Sequence, residues 1–405
     1  MSSFRTSSNS NAGQGQAPEQ LYYDVVITNL ENFDQSPPVL YFNETRNTPF
    51  VYDPESYYMS IIRFTLDTPT LPVIVPEIVP NQSNVNLTIY TMSLTYTDPL
   101  SGVTFFGDAP LIYEPQNLSA VVPNAPNATS NGLQNNATYY YNIFNYQFFI
   151  YLVNNTFTTA FANLASACAS ALPPVVLPST FAPIMTYDTT NFIAVINCDV
   201  AGYSSTLSSP INIYFNNSLS TLFTSFPMIY QTSQVVALGH GQNVLIQTDT
   251  FGGSNILPTT FPATPTGFPF DAIQVFQEYS SVALWTPVLS VVFCSNTLPI
   301  VPNQVSAPLL FIDGQRYQNG GNNSDVAQVI SDFVSDSGIY KPNIVYSPQA
   351  QYRLIELTGN RPIYTLDVSV YWKDRFGALN PFRIGSGCSA TLKFLFTKKG
   401  TETMK

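Results

Sequence analysis

His240 is the only imidazole in the chain, set in the glycine loop Leu238-Gly239-His240-Gly241-Gln242. A Ser-His-Asp centre needs that imidazole beside a serine held on a sharp turn, and no G-x-S-x-G elbow supplies one. His240 therefore reads as a loop histidine. Sugar hydrolysis needs two carboxylates facing each other across a glycosidic bond. Asp24, Asp53, Glu55 and Asp188 each sit near tyrosines, a pattern that also suits an ordinary tyrosine-rich sheet surface. Asp332 and Asp336 in the run 331–338 come closest to a calcium loop but lack its remaining ligands. Asn319-Gly320-Gly321-Asn322 does not continue into a phosphate-binding loop. Cys168, Cys198, Cys294 and Cys388 are far apart, with no C-x-x-C; buried free thiols are expected, not a zinc site. No cofactor, metal or catalytic residue is expected.

The composition favours packing over chemistry. Charged residues make up 10% of the chain, against roughly 25% in an ordinary soluble domain. Aromatics reach 14%, and thirty-two prolines favour extended segments and turns over long helices. Charge is unevenly placed. Residues 1–315 hold eighteen acids and three arginines, whereas residues 316–405 hold seven acids and eleven bases. Such asymmetry points to a partner or an oriented assembly. Nucleic acid is a poor partner for a net charge of −11 and an N-terminal stretch whose one base is Arg5. No apolar run approaches the roughly 20 residues that span a bilayer. The first twenty residues lack the apolar core of a signal peptide, so synthesis in a cytosol is expected, and the nine Asn-x-Ser/Thr sequons only reflect composition.

The elements that would position any functional side chain are mostly strands. Residues 1–20 read as a flexible arm. Strands are expected at 21–29, 56–67, 84–96, 184–187, 191–200, 211–215, 289–294, 309–312, 344–346, 352–357, 363–372 and 391–397. Residues 120–136 read as a long exposed loop, and 239–269 as a Gly/Pro-rich loop or boundary. The exception is 145–171, where Phe149, Leu152, Val153, Phe157, Phe161 and Leu164 recur at spacings of three and four. That spacing predicts one amphipathic helix covering an end of a sandwich; 219–226 is a candidate for a second, short one. The implied division is an arm at 1–20, a β-rich region at 21–238, the boundary at 239–269, a closing region at 270–399 and a basic tail at 400–405. Within 363–372, Tyr364, Leu366, Val368, Val370 and Trp372 form an apolar set, opposite Ile363, Thr365, Asp367 and Ser369. Leu392, Phe394 and Phe396 can meet that apolar face and close the sandwich.

The segments Gln351-Tyr352-Arg353-Leu354-Ile355, Pro362 through Gly377 (PIYTLDVSVYWKDRFG) and Ala390 through Lys399 (ATLKFLFTKK), with Ser281 through Val288 (SVALWTPV) upstream, resemble the end of minor capsid proteins. These are the penton-type jelly-roll proteins of virophages, polinton-like viruses and adintoviruses. The resemblance covers roughly 270–399 and implies a mainly all-β, antiparallel jelly-roll sandwich with large loop insertions and one covering helix. It further implies a structural subunit of a virion, at the five-fold vertices of an icosahedral shell, partnered by its own copies as a homopentamer, by a major capsid protein and by a host receptor. A receptor-binding spike and a carbohydrate-binding β protein are the competing readings. The basic residues Arg353, Arg361, Lys373, Arg375 and Arg383 are the expected assembly surface, facing either an acidic part of a neighbouring subunit or the capsid shell.

Overall fold

Eight antiparallel strands build a jelly roll, and they come from both ends of the chain. In chain order they are Gln20–Thr28, Tyr41–Thr45, Tyr57–Asp67, Val288–Cys294, Val329–Val334, Asn343–Tyr346, Thr365–Asp374 and Ser389–Lys398, the first to the eighth below. One sheet runs first–eighth–third–sixth and the other second–seventh–fourth–fifth, the double Greek key of a jelly roll. These coordinates come from a computed structural model. It describes residues 18–400 apart from 31–36, 81, 117–123, 127–133, 135, 137–138, 232–242, 249–267, 307–308, 313–314, 319–324, 335–341, 348–352 and 376, and it describes 303–326 by backbone alone. Residues 1–17 of the expected arm, most of 120–136, residues 239–242 with His240 and 249–267 of the expected boundary, the run 319–322, Asp336 and the tail 401–405 lie outside the described residues.

Alternation explains the core. The seventh strand buries Leu366, Val368, Val370 and Trp372, and the eighth buries Leu392, Phe394 and Phe396. The two strands belong to opposite sheets and share one core with Tyr23, Val25, Phe64 and Phe293. Phe64 stands 5.0 Å from the Phe293 ring and 4.7 Å from that of Phe333. The third strand buries Met59 and Ile61 but then Phe64 and Leu66, a change of parity. A bulge resolves it: Phe394 opposes Ile61 while Lys393 opposes Arg63, so one extra residue is taken up between them.

One expectation needs correction. The polar set of the seventh strand is not a solvent face at Asp367, which is fully buried, nor at Ser369. The segment after the fourth strand crosses here. Asp367 accepts from Ser295 Oγ at 2.5 Å, Thr297 Oγ1 at 2.6 Å and the amides of Asn296 and Thr297 at 2.9 and 3.0 Å. Burial alone would raise its pKa, but these hydrogen bonds outweigh it and hold the carboxyl below its usual value.

Residues 68–287 leave the third strand, form a second hydrophobic core and return to the fourth strand. The expected helix is there, Tyr146–Ala169, capped by Asn145, whose side chain accepts from the Phe148 amide at 2.8 Å. Its buried side includes Phe149, Leu152, Val153, Phe157 and Leu164. It lies on Thr104–Ile112, part of a sheet ordered Thr104–Ile112, Leu87–Thr97, Asn212–Phe215, Val244–Ile246, Met228–Tyr230. Gly107 makes the close approach possible, since a Cβ there would meet the Ala160 carbonyl oxygen at 2.1 Å. A second sheet orders Ala272–Phe276, Ile193–Asp199, Ile184–Asp188. Outside the long helix only short helices occur among the described residues, including Asn217–Leu222 where a short one was expected. The expected strand at 352–357 contracts to Ile355–Glu356.

Candidate assembly surfaces

The five basic residues singled out in the sequence do not form one patch. Arg375, exposed, and Arg383, half-buried, lie at the end of the sandwich where the insertion departs, and both are engaged by backbone of their own chain. Arg375 donates from Nε to the Thr286 carbonyl at 3.0 Å, and from Nη2 to Thr286 and Leu284, the segment returning from the insertion. Arg383 donates to the Pro37 carbonyl at 2.8 Å and lies 4.6 Å above the Tyr139 ring of the inserted unit. Arg353 is exposed and donates to the Asp332 carbonyl at 3.1 Å, beside the fifth strand. Arg361 is exposed just before the seventh strand, at the end away from the insertion, and Lys373 is half-buried near that strand's far end.

On the outward face of the first sheet, Asp24, considered above as one of a carboxylate pair, belongs instead to a cluster of opposite charges. Asp24 pairs across the ladder with Lys393, which pairs with Arg63. The Asp24 carboxylate lies 3.7 Å from Lys393 and 3.8 Å from Arg63. Lys393 also stands 5.3 Å from the Tyr22 ring centroid. Such exposed pairs contribute about 0–1 kcal/mol each, so they set the character of the surface more than the stability of the fold. A signal was available: Tyr22, Asp24 and Val26 alternate with the buried Tyr23 and Val25.

The sandwich has two different lateral edges. The first and second strands form one, with Val26 and Tyr41 exposed; the fifth and sixth form the other, with Val334 and Val345 exposed. At 69% and 66% exposure, Val334 and Val345 stand out from strands that each have one side unpaired among the described residues. An open edge of this kind is a template for pairing with another chain.

None of the carboxylates considered for chemistry is organised for it. Asp53 accepts from Ser56 Oγ. Asp188 closes a turn, held below its usual pKa chiefly by Asn191 and the Thr190 amide. Glu55 lies in a one-turn 3-10 helix. The four cysteines form no disulfide, and burial pushes the Cys294 thiol up to about 11, far from a reactive thiolate. Among the described residues no group of His, Cys, Asp or Glu could hold a metal, and no helix is long and apolar enough to cross a membrane.

A jelly roll with open edges and charged faces agrees with the comparisons. Residues 21–398 match the family model described as Sputnik minor capsid protein V18/19. The chain belongs to this family. It is 31% identical over 227 residues to structural protein V19 of Sputnik virophage, a match covering 53% of this chain and 93% of that protein. Protein V18 of the same virophage is 33% identical over 160 residues, covering 39% of this chain and 92% of that one. A chain in the cryo-EM structure of the Sputnik virophage superposes with a TM-score of 0.72 at 28% identity, over 95% of this chain and 99% of that one. The mavirus penton protein shares the fold alone, with a TM-score of 0.57 at 11% identity over 94% and 99% of the two chains. The protein is thus a viral structural protein, a minor capsid component of the virion related to the Sputnik V18/19 proteins.

Proposed function

We propose that this minor capsid protein forms a homopentamer at the five-fold vertices of an icosahedral shell, seated among copies of a major capsid protein. The observation that carries the reading is the pair of unlike lateral edges. A closed ring needs heterologous contacts, in which one patch meets a different patch on the next copy. Here the edge bearing Val334, Val345 and Arg353 would meet the edge bearing Val26, Tyr41, Asp24 and Glu44 of a neighbour. The apolar side chains supply most of the affinity, and the charges steer the encounter. The fold shared with a penton protein supports the same reading.

Arg361 belongs to the other contact. It lies at the end from which both described chain ends depart, where the Lys398 amide donates to the Glu19 carbonyl, and this end would face the major capsid protein. Lys373 would contribute at the flank, whereas Arg375 and Arg383 serve within the chain. The inserted unit would then project away from the shell, towards a host receptor.

Light scattering on the purified protein tests the ring. Five copies of 44.7 kDa should give a particle of about 220 kDa. Val345→Asp, on an exposed edge, should return it to single chains with unchanged circular dichroism. A trimer, as expected of a spike, or a parent protein that stays monomeric at high concentration would overturn the proposal.

A further inference from the structure

The inserted unit has a pole poor in charge. The long helix begins beside the jelly roll, with Phe149 5.2 Å from Trp285, three residues before the fourth strand. Its 24 residues rise about 36 Å, so its C-terminal end marks the far side of the unit. Three loops meet there. The hairpin after Leu87–Thr97 belongs to this end because Gly107 packs on Leu164, one turn before Cys168. The loop after the helix folds back, with the Val175 amide donating to the Cys168 carbonyl. The third loop joins them through Ser209, which donates to the Thr97 carbonyl, and through Gly202, packed on Ser179.

Residues 99–107, 170–183 and 200–210 contain no acid and no base. Of the acids bordering them, Asp108 is half-buried on Thr104–Ile112, Asp271 is exposed where its carbonyl accepts from the Val200 amide, and the other two are turned into the fold. Asp98 accepts from Ser101 Oγ and the amides of Leu100 and Ser101, and Asp199 from Ser179 Oγ and the Ala201 amide. What the pole offers instead is apolar: Leu172 is 97% exposed, Leu100 95%, Val176 85% and Val103 51%. Side chains that exposed are knobs on a convex surface, not the lining of a groove.

We propose that this pole inserts into the headgroup region of an uncharged, zwitterionic lipid bilayer. Convex apolar knobs need no matching pocket in a fluid surface, and an oligomer would present several such poles at once. The absence of cations decides the lipid class. Residues 68–287 contain no Lys or Arg but nine acids, so an anionic bilayer would repel this unit.

The experiment is flotation of the purified full-length protein with phosphatidylcholine vesicles, and with vesicles containing phosphatidylglycerol. The parent should float with the neutral vesicles and less with the anionic ones. The variant Leu100→Asp with Leu172→Asp, both at exposed sites and expected to keep the parent's thermal midpoint, should lose at least tenfold in bound fraction. Parent protein that stays in the dense fraction would overturn the proposal and assign the pole to a protein partner. Equal flotation of parent and variant, or stronger binding to anionic vesicles, would overturn it too.

Discussion

The jelly roll and the unit inserted into it differ most in charge. All fourteen Lys and Arg residues lie outside residues 68–287, together with sixteen of the twenty-five acids. The sandwich and its flanking segments are therefore close to neutral, while the insertion carries nine of the eleven unbalanced acids. What reads along the chain as an acidic front and a basic end is an insertion boundary: Arg63 lies in the third strand, and the next base, Arg316, comes after the fourth. The sandwich presents mixed pairs such as Asp24 with Lys393 and Arg63, suited to contacts with copies and a shell. The insertion presents neutral polar and apolar side chains. Two surfaces so unlike are built for different neighbours.

They also differ in dependence. The insertion is held at both ends by jelly-roll strands, so the sandwich must form for the insertion to be anchored, whereas the reverse is not required. Phe394→Ala tests this most severely. Phe394 is fully buried between the sheets, and its removal should cost about 3–5 kcal/mol. Thermal unfolding should show both units destabilised, and hydrogen exchange should rise in both. Protection of 145–169 that stays at the parent level would mean the insertion folds without its anchor.

Gly107→Ala is the reciprocal case. The added methyl would run into the Ala160 carbonyl and Leu164, forcing the helix off its sheet at a cost of about 2–3 kcal/mol. Exchange should accelerate in the helix and in Leu87–Thr97, with the eighth strand unaffected. Spread of the effect into Ser389–Lys398 would break the asymmetry between the two units.

Asp367→Asn probes the sandwich alone. With four hydrogen bonds made to its carboxylate, the loss at neutral pH should be about 1–3 kcal/mol. The folded pKa lies below the usual value, so the stabilisation is fully present above the unfolded pKa and fades as pH falls through the folded one. Urea midpoints of parent and variant should therefore differ at pH 7 and converge in strong acid. A gap that stays constant down to pH 2 would assign the effect to packing.

How much of this was legible follows from how local each signal is. The seventh and eighth strands were legible because a period of two over ten residues needs no knowledge of partners. The long helix was legible from its own spacing. Thr104–Ile112 was missed because Gly107 and Pro110 look like strand breakers; Gly107 is there to admit the helix. Tyr41–Thr45 was missed because only Phe42 in it is buried. The topology was hidden for a different reason: Tyr23 opposes Phe394 across almost the whole chain, and nothing local records that pairing. The local partners of the surface residues were hidden too. Arg375 and Arg383 read as basic surface residues, and only the arrival of Leu284, Thr286 and Tyr139 from the insertion gives them contacts within the chain.

Those two arginines give the smallest effect on stability and the sharpest test of how the units are joined. Arg375 grips the segment returning from the insertion through the Leu284 and Thr286 carbonyls, and Arg383 stacks on Tyr139. Neither contact lies within one unit's core, so Arg375→Ala with Arg383→Ala should change global stability by no more than about 1 kcal/mol, water replacing the lost donors at partly exposed carbonyls. The orientation of the insertion should suffer instead. Backbone bonds still tether it, among them the Thr68 amide to the Pro342 carbonyl at 2.9 Å, but the guanidinium clasp on the returning segment is gone. Small-angle scattering should show a broader distribution of interatomic distances for the variant, and limited proteolysis should cut near 284–287 at least several-fold faster. A parent-like scattering profile combined with a large loss of stability would mean that the arginines are part of a shared core, and that the jelly roll and the insertion are one unit after all.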